Sequence, residues 1–70
     1  MDVKSEIAGK VWKIVAAVGD AVEEDEEILI LESMKMEIPV MAPAAGRIAE
    51  ILVEEAESVQ EGQIVVRLES

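Results

Sequence analysis

Two runs of the chain are apolar almost throughout and closed by polar residues: "EILILE" (27–32) and "QIVVRLE" (63–69). Their length and their valine, isoleucine and leucine content predict β-strands. "EIPVMAP" (37–43) carries Pro39 and Pro43, which rule out a helix there. "RIAEILVEEAE" (47–57) is ambiguous. Ile48, Ile51 and Leu52 recur at helical spacing within a run of helix formers. Turn signals stand at Gly19-Asp20 and in "QEGQ" (60–63).

The chain repeats itself, and the repeat bears on the ambiguous run. Shifted by 37 residues, "AGKVWKIVAAVGDAVEEDEEILILES" (8–33) falls on "AGRIAEILVEEAESVQEGQIVVRLES" (45–70) without a gap. Identical pairs include Ala8/Ala45, Gly9/Gly46, Ile14/Ile51, Val22/Val59, Leu31/Leu68 and Ser33/Ser70. Residues 47–57 align with "KVWKIVAAVGD", which holds three valines and ends on a turn signal. That argues against a helix. Two copies are too few for a solenoid. Two β-rich units can instead face one another about a pseudo-twofold axis, each covering the apolar face of the other. A single domain over residues 1–70 is expected, with halves 8–33 and 45–70 and a joint at 34–44. The repeat also sets Asp25 opposite Gly62, in turns where a positive φ is expected.

Composition narrows the chemistry. The chain has neither cysteine nor histidine, so disulfides, thiolate metal sites and imidazole catalysis are excluded. Trp12 is the only aromatic residue and is expected in the core or at its rim. Six basic residues stand against 16 acidic ones, a net charge of -10. Such a surface repels nucleic-acid phosphates and anionic membranes, and suits a partner with a basic docking face. The acidic run "EEDEE" (23–27) reads as a solvated turn, because consecutive carboxylates on a strand alternate sides and do not converge on one ion. The N-terminus lacks the apolar stretch of a signal peptide and no segment is long enough to span a bilayer. A cytoplasmic location is expected.

The joint between the halves holds "ESMKME" (32–37), with Lys35 between Met34 and Met36. Its bland reading is a surface lysine on a turn with two methionines packed beneath. Yet "SMKM" contains no Gly, Asn, Asp or Pro, the residues that make tight turns. A turn built from two thioethers and a lysine suits recognition by a partner. Lys10 and Lys13 lie in no comparable setting.

"ESMKMEIPVMAPAAGRI" (32–48) resembles the attachment motif of the biotin/lipoyl-carrier domain family, on its biotinyl side. The resemblance covers nearly the whole chain, with "AGKVWKIVAAVGDAV" and "GQIVVRLES" fitting the first and last strands. It implies a flattened antiparallel β-barrel of two four-stranded sheets with the lysine at a hairpin tip. It implies that Lys35 is the residue joined to biotin by a biotin protein ligase. Met34 and Met36 match the methionines that the ligase reads, and Glu32 matches the acidic residue preceding them. The loaded domain would then pass carboxyl groups between biotin carboxylase and carboxyltransferase components. Ser33 stands where the family commonly has alanine, and Asp25 where it commonly has glycine. The protruding loop of one bacterial branch is missing, as is any catalytic domain, so the resemblance is to a small free-standing carrier or an excised domain, monomeric when isolated.

An exposed lysine carries a proton at neutral pH, whereas the attacking amine must be neutral. Glu32 and Glu37 on either side favour the charged form, so deprotonation falls to the ligase, and the domain is expected to be a substrate and carrier rather than an enzyme. Two other readings stay open: a lipoyl carrier of the same fold, with lipoate as the cofactor, and an unmodified β module that only contacts other proteins.

Overall fold

The computed structural model describes residues 1–69; Ser70, the last residue of the second half, lies outside them. Eight strands follow one another: β1 (Asp2–Lys4), β2 (Gly9–Ile14), β3 (Ala21–Val22), β4 (Glu27–Ser33), β5 (Met36–Met41), β6 (Gly46–Ile51), β7 (Ser58–Val59) and β8 (Ile64–Glu69). All pairings are antiparallel. One sheet has the order β1-β8-β6-β3 and the other β5-β4-β2-β7. The fold is the all-β pair of four-stranded sheets implied by the resemblance, and 46–51 is a strand as the repeat required. Helical spacing at Ile48, Ile51 and Leu52 was outweighed by pairing along β8.

A shift of 37 residues carries one sheet onto the other, β2 onto β6, β3 onto β7 and β4 onto β8. The correspondence runs beyond the aligned sequence. β1 maps onto the end of β5, and residues 36–41 within the joint are therefore a strand. Each sheet takes strands from both halves, so neither half is complete without the other. Val11 donates its N–H to Glu57 O at 2.8 Å and accepts from Ala56 N–H at 2.7 Å. The mates repeat this: Ile48 N–H to Asp20 O at 2.9 Å and Gly19 N–H to Ile48 O at 2.8 Å.

The bulges repeat too. Trp12 is the extra residue between Val11 and Lys13 where β2 pairs with β4, and Ala49 is the extra residue where β6 pairs with β8. A bulge turns its strand and frees one side chain from the alternation, and Trp12 stands half exposed at the rim. Ile28 and Val65 are the extra residues on β4 and β8. There the bulge allows consecutive residues, Ile28-Leu29 and Val65-Val66, to be buried together. The core consists of these with Leu31, Leu68, Val11, Ile48, Val22, Val59, Val3, Val40, Ala42 and Val53. Each fully buried aliphatic side chain contributes about 1.5–3 kcal/mol before entropy is counted.

Gly9 and Gly46 are identical because the backbones touch there. A Cβ on Gly9 would stand 2.9 Å from Glu32 O, and one on Gly46 2.8 Å from Glu69 O. No side chain fits against a carbonyl at that distance.

Four tight turns share one construction. In 17–20, 23–26, 54–57 and 60–63 the last residue donates its N–H to the carbonyl of the first at 3.0–3.1 Å. Its side-chain oxygen accepts the first residue's N–H at 2.9–3.1 Å. The third residue has positive φ: Gly19 94°, Asp25 69°, Ala56 73° and Gly62 84°. That is the signature of type II turns. Positive φ costs an ordinary L-residue roughly 1–2 kcal/mol, and Asp less than most. Glycine returns about 0.4–1 kcal/mol of this to the unfolded chain. Ala56→Gly is therefore expected to raise the thermal midpoint by a few degrees and Asp25→Gly by less, while Gly62→Asp lowers it. Thermal melts of the three variants check the order, and a midpoint for Asp25→Gly clearly below the parent contradicts it.

Candidate functional site

β4 and β5 meet in a hairpin whose loop is only Met34 and Lys35, with Ser33 paired to Met36. Both loop residues have positive φ, 52° and 64°. This is the type I′ geometry, whose twist matches that of the strands and which usually takes Asn-Gly. Here the two positions hold a methionine and a lysine. Residues in this region cost of order 1–3 kcal/mol each and persist where the surrounding structure over-determines them. The ladder behind the turn does so: Glu32↔Glu37, Leu31↔Ile38, Ile30↔Pro39 and Leu29↔Val40 are in register, and Leu29 and Leu31 are fully buried.

The turn holds Lys35 out from the body. Among the described residues Lys35 takes part in no salt bridge or side-chain hydrogen bond. Met34 is 92% exposed and Met36 60% exposed. The methionines are thus not packed beneath the turn, which removes the bland reading's support. Glu32 and Glu37 face each other across the strands, both exposed. Like charges so placed repel. Lys10 lies on the other side of Glu32, paired to it from β2, and offsets part of that repulsion. Gly9 lets β2 press close behind Glu32 and Ser33. The structure therefore gathers Glu32, Met34, Lys35, Met36 and Glu37 at one tip and adds Lys10, which the sequence reading had not placed there.

The other candidates lie apart from this arrangement. Lys13 pairs with Ile30 on β2, and Lys4 with Ile64 on β1, both on exposed strand positions. The run 23–27 is an exposed turn in which Glu26 Oε1 accepts the N–H of Glu23 at 3.1 Å. Among the described residues no group of acidic side chains is gathered as a metal site would need. The two salt bridges found, Arg67 to Asp2 at 3.4 Å and to Glu50 at 3.3 Å, are half exposed and contribute little.

A family model described as "Biotin-requiring enzyme", for the biotin/lipoyl domain, matches residues 1–68. The chain belongs to the biotin/lipoyl attachment family. It is 41% identical over 68 residues to a biotin/lipoyl attachment protein of Bacillus subtilis, covering 97% of this chain and 93% of that one. Its fold matches the urea carboxylase of Kluyveromyces lactis with a TM-score of 0.93 at 38% identity, over 97% of this chain and 6% of that one. It also matches the lipoyl domain of the 2-oxoglutarate dehydrogenase complex from Azotobacter vinelandii, TM-score 0.81 at 32% identity, over 100% of this chain and 96% of that one.

The cross-strand position of Glu37 was available in principle. Once a two-residue loop is assumed at 34–35, residue 32 must face 37. What hid it was the absence of turn-forming residues in "SMKM". Replacing the loop pair by Asn-Gly (M34N/K35G) is expected to stabilise the attachment domain by about 1–2 kcal/mol, by releasing the two left-handed residues. Urea midpoints measure this, and a loss of stability would show that the turn is not strained.

Proposed function

We propose that this attachment domain is a biotin carrier, with Lys35 as the residue that a biotin protein ligase acylates. The observation that carries the reading is Lys35 at the apex of a two-residue turn, between two exposed methionines and free of intramolecular partners among the described residues. The residues suit the group. An amide to the carboxyl of biotin needs an amine that a second protein can surround from several sides, and the tip offers one. The fixed turn spares the ligase the ordering of a mobile loop. Met34 and Met36 supply apolar surface on either side of the amine, and their three rotatable bonds let them fit a partner's groove. Glu32 and Glu37 supply negative charge for a basic rim, which raises the rate of encounter. When bound, biotin offers a ureido nitrogen that takes up a carboxyl group at one site and yields it at another. The domain's part is tethering, which keeps that nitrogen at high local concentration near both.

Biotin carboxylase and carboxyltransferase components are thus the partners after loading, and the likeness to a urea carboxylase supports this. Among the described residues no helix is long and apolar enough to cross a membrane; a place in the cytoplasm is part of the same proposal and follows from the carrier role. The lipoyl domain likeness keeps a second reading in view, lipoate on the same lysine. The Met-Lys-Met setting favours biotin. Intact mass after co-expression with each ligase separates biotin, lipoate and an unmodified chain.

Lys35→Arg should abolish biotin incorporation, since arginine keeps the charge but cannot accept the acyl group. Arginine at Lys4, Lys10 or Lys13 should leave it in place. Streptavidin blotting reads both, and signal from the Lys35→Arg chain would refute the assignment. The methionines should matter for modification more than for folding. Met34→Ala/Met36→Ala is expected to cost well under the roughly 2–5 kcal/mol of a core Met→Ala change while slowing biotinylation. Should it unfold the chain, or biotinylate at the parent rate, the recognition role falls.

A further inference from the structure

Leucine would offer Met34 and Met36 nearly the same apolar volume, and exchanges between these two residues are tolerated even inside cores. What methionine adds is a thioether, flexible and open to oxidation. Both side chains are more than half exposed, Met34 almost fully, and susceptibility of such sulfurs follows their exposure. The chain has no cysteine to intercept an oxidant first. No methionine belongs to the buried core, so oxidation need not disturb the fold. Its effect would fall on the surface around Lys35.

We propose that Met34 and Met36 are a redox-sensitive modification site, whose conversion to sulfoxides by a peroxide blocks acylation of Lys35. The step is a two-electron oxidation. The thioether sulfur attacks one peroxide oxygen, the O–O bond breaks, an S–O bond forms, and the second oxygen leaves as water with both peroxide protons. Each sulfoxide places a polar, chiral oxygen where an apolar side chain had met the ligase. The change is reversible, because sulfoxide reductases return each epimer to the thioether. Loading of the carrier would thus stop under peroxide and resume on reduction. Domains already loaded would keep their amide bond. The proposal rests on Lys35 being the biotin acceptor.

The test treats the unmodified chain with hydrogen peroxide, removes the peroxide with catalase, and then adds biotin ligase, ATP and biotin. Peptide mass mapping should find Met34 and Met36 oxidised at least as fast as Met41, which is 46% exposed and lies at the far end of β5. The initial rate of biotinylation should fall by about tenfold or more, the loss expected when a methionine-sized apolar contact is removed. Circular dichroism should be unchanged. Sulfoxide reductases of both epimer specificities should restore the rate. M34L/M36L, whatever its starting rate, should show the same rate before and after peroxide, and Met41→Leu should lose rate like the parent. Full-rate biotinylation of the oxidised chain overturns the proposal, as does a loss that persists in M34L/M36L or sparing of Met34 and Met36 while Met41 oxidises. A zero rate before any oxidation would instead remove the reading of Lys35, and the same assay shows it.

Discussion

Neither half of this chain can bury its own apolar face. β2 and β4 present Val11, Ile28, Leu29 and Leu31, and these are covered only where β6 and β8 bring Ile48, Val65, Val66 and Leu68 against them. A chain this small is near the lower limit for a self-supporting core, so the mutual cover is what allows it to fold at all. The rest of the architecture follows. β1 and β5 close corresponding edges, β3 and β7 the others. Gly9 and Gly46 persist in both copies because the backbone of the neighbouring strand in the same sheet, at Glu32 and Glu69, comes too close for a side chain at those points.

Twofold symmetry also shows which features the fold requires and which it merely allows. Glu26 and Gln63 occupy equivalent turns and accept the equivalent N–H at 3.1 and 3.0 Å. An amide oxygen does this as well as a carboxylate, so the charge of the 23–27 turn is not demanded by its geometry. Trp12 and Ala49 sit on equivalent bulges despite their difference in size, because a bulged rim position leaves the side chain unconfined. Asp25 and Ala56 hold the left-handed backbone that Gly62 and Gly19 hold in the other copy. There geometry prevails over local preference.

The hairpin tip has no equivalent in the second half within the described residues. Its two left-handed residues are held by the ladder of β4 and β5, so stability from the core maintains a conformation that the loop sequence would not choose. The result is an amine displayed in a fixed direction with two thioethers beside it and two carboxylates behind.

How much of this could be read beforehand depended on whether the signal was local or relational. Strands 27–32 and 63–69 were legible because short apolar runs with polar ends admit little else. The repeat was legible because both copies satisfy the same packing, and it correctly outweighed helical spacing at Ile48, Ile51 and Leu52, a pattern that hydrogen bonding along β8 overrides. The Met-Lys-Met motif pointed to Lys35, and positive φ at Asp25 followed from its glycine mate. Tertiary structure alone decided the rest. That Val3 and Val40 are mates, and that β5 continues the repeat through the joint, rests on hydrogen bonds such as Asp25 N–H to Ala42 O and Gly62 N–H to Ser5 O, both 2.8 Å. The residues concerned share little sequence. That Ala56 is left-handed does not show in "EEAE" itself and is signalled only by its repeat mate Gly19; the structure adds the hydrogen bond from Ala56 N–H to Val11 O at 2.7 Å. That Met34 and Lys35 form a type I′ turn is imposed by the register of the strands behind them, since no residue in the loop asks for it.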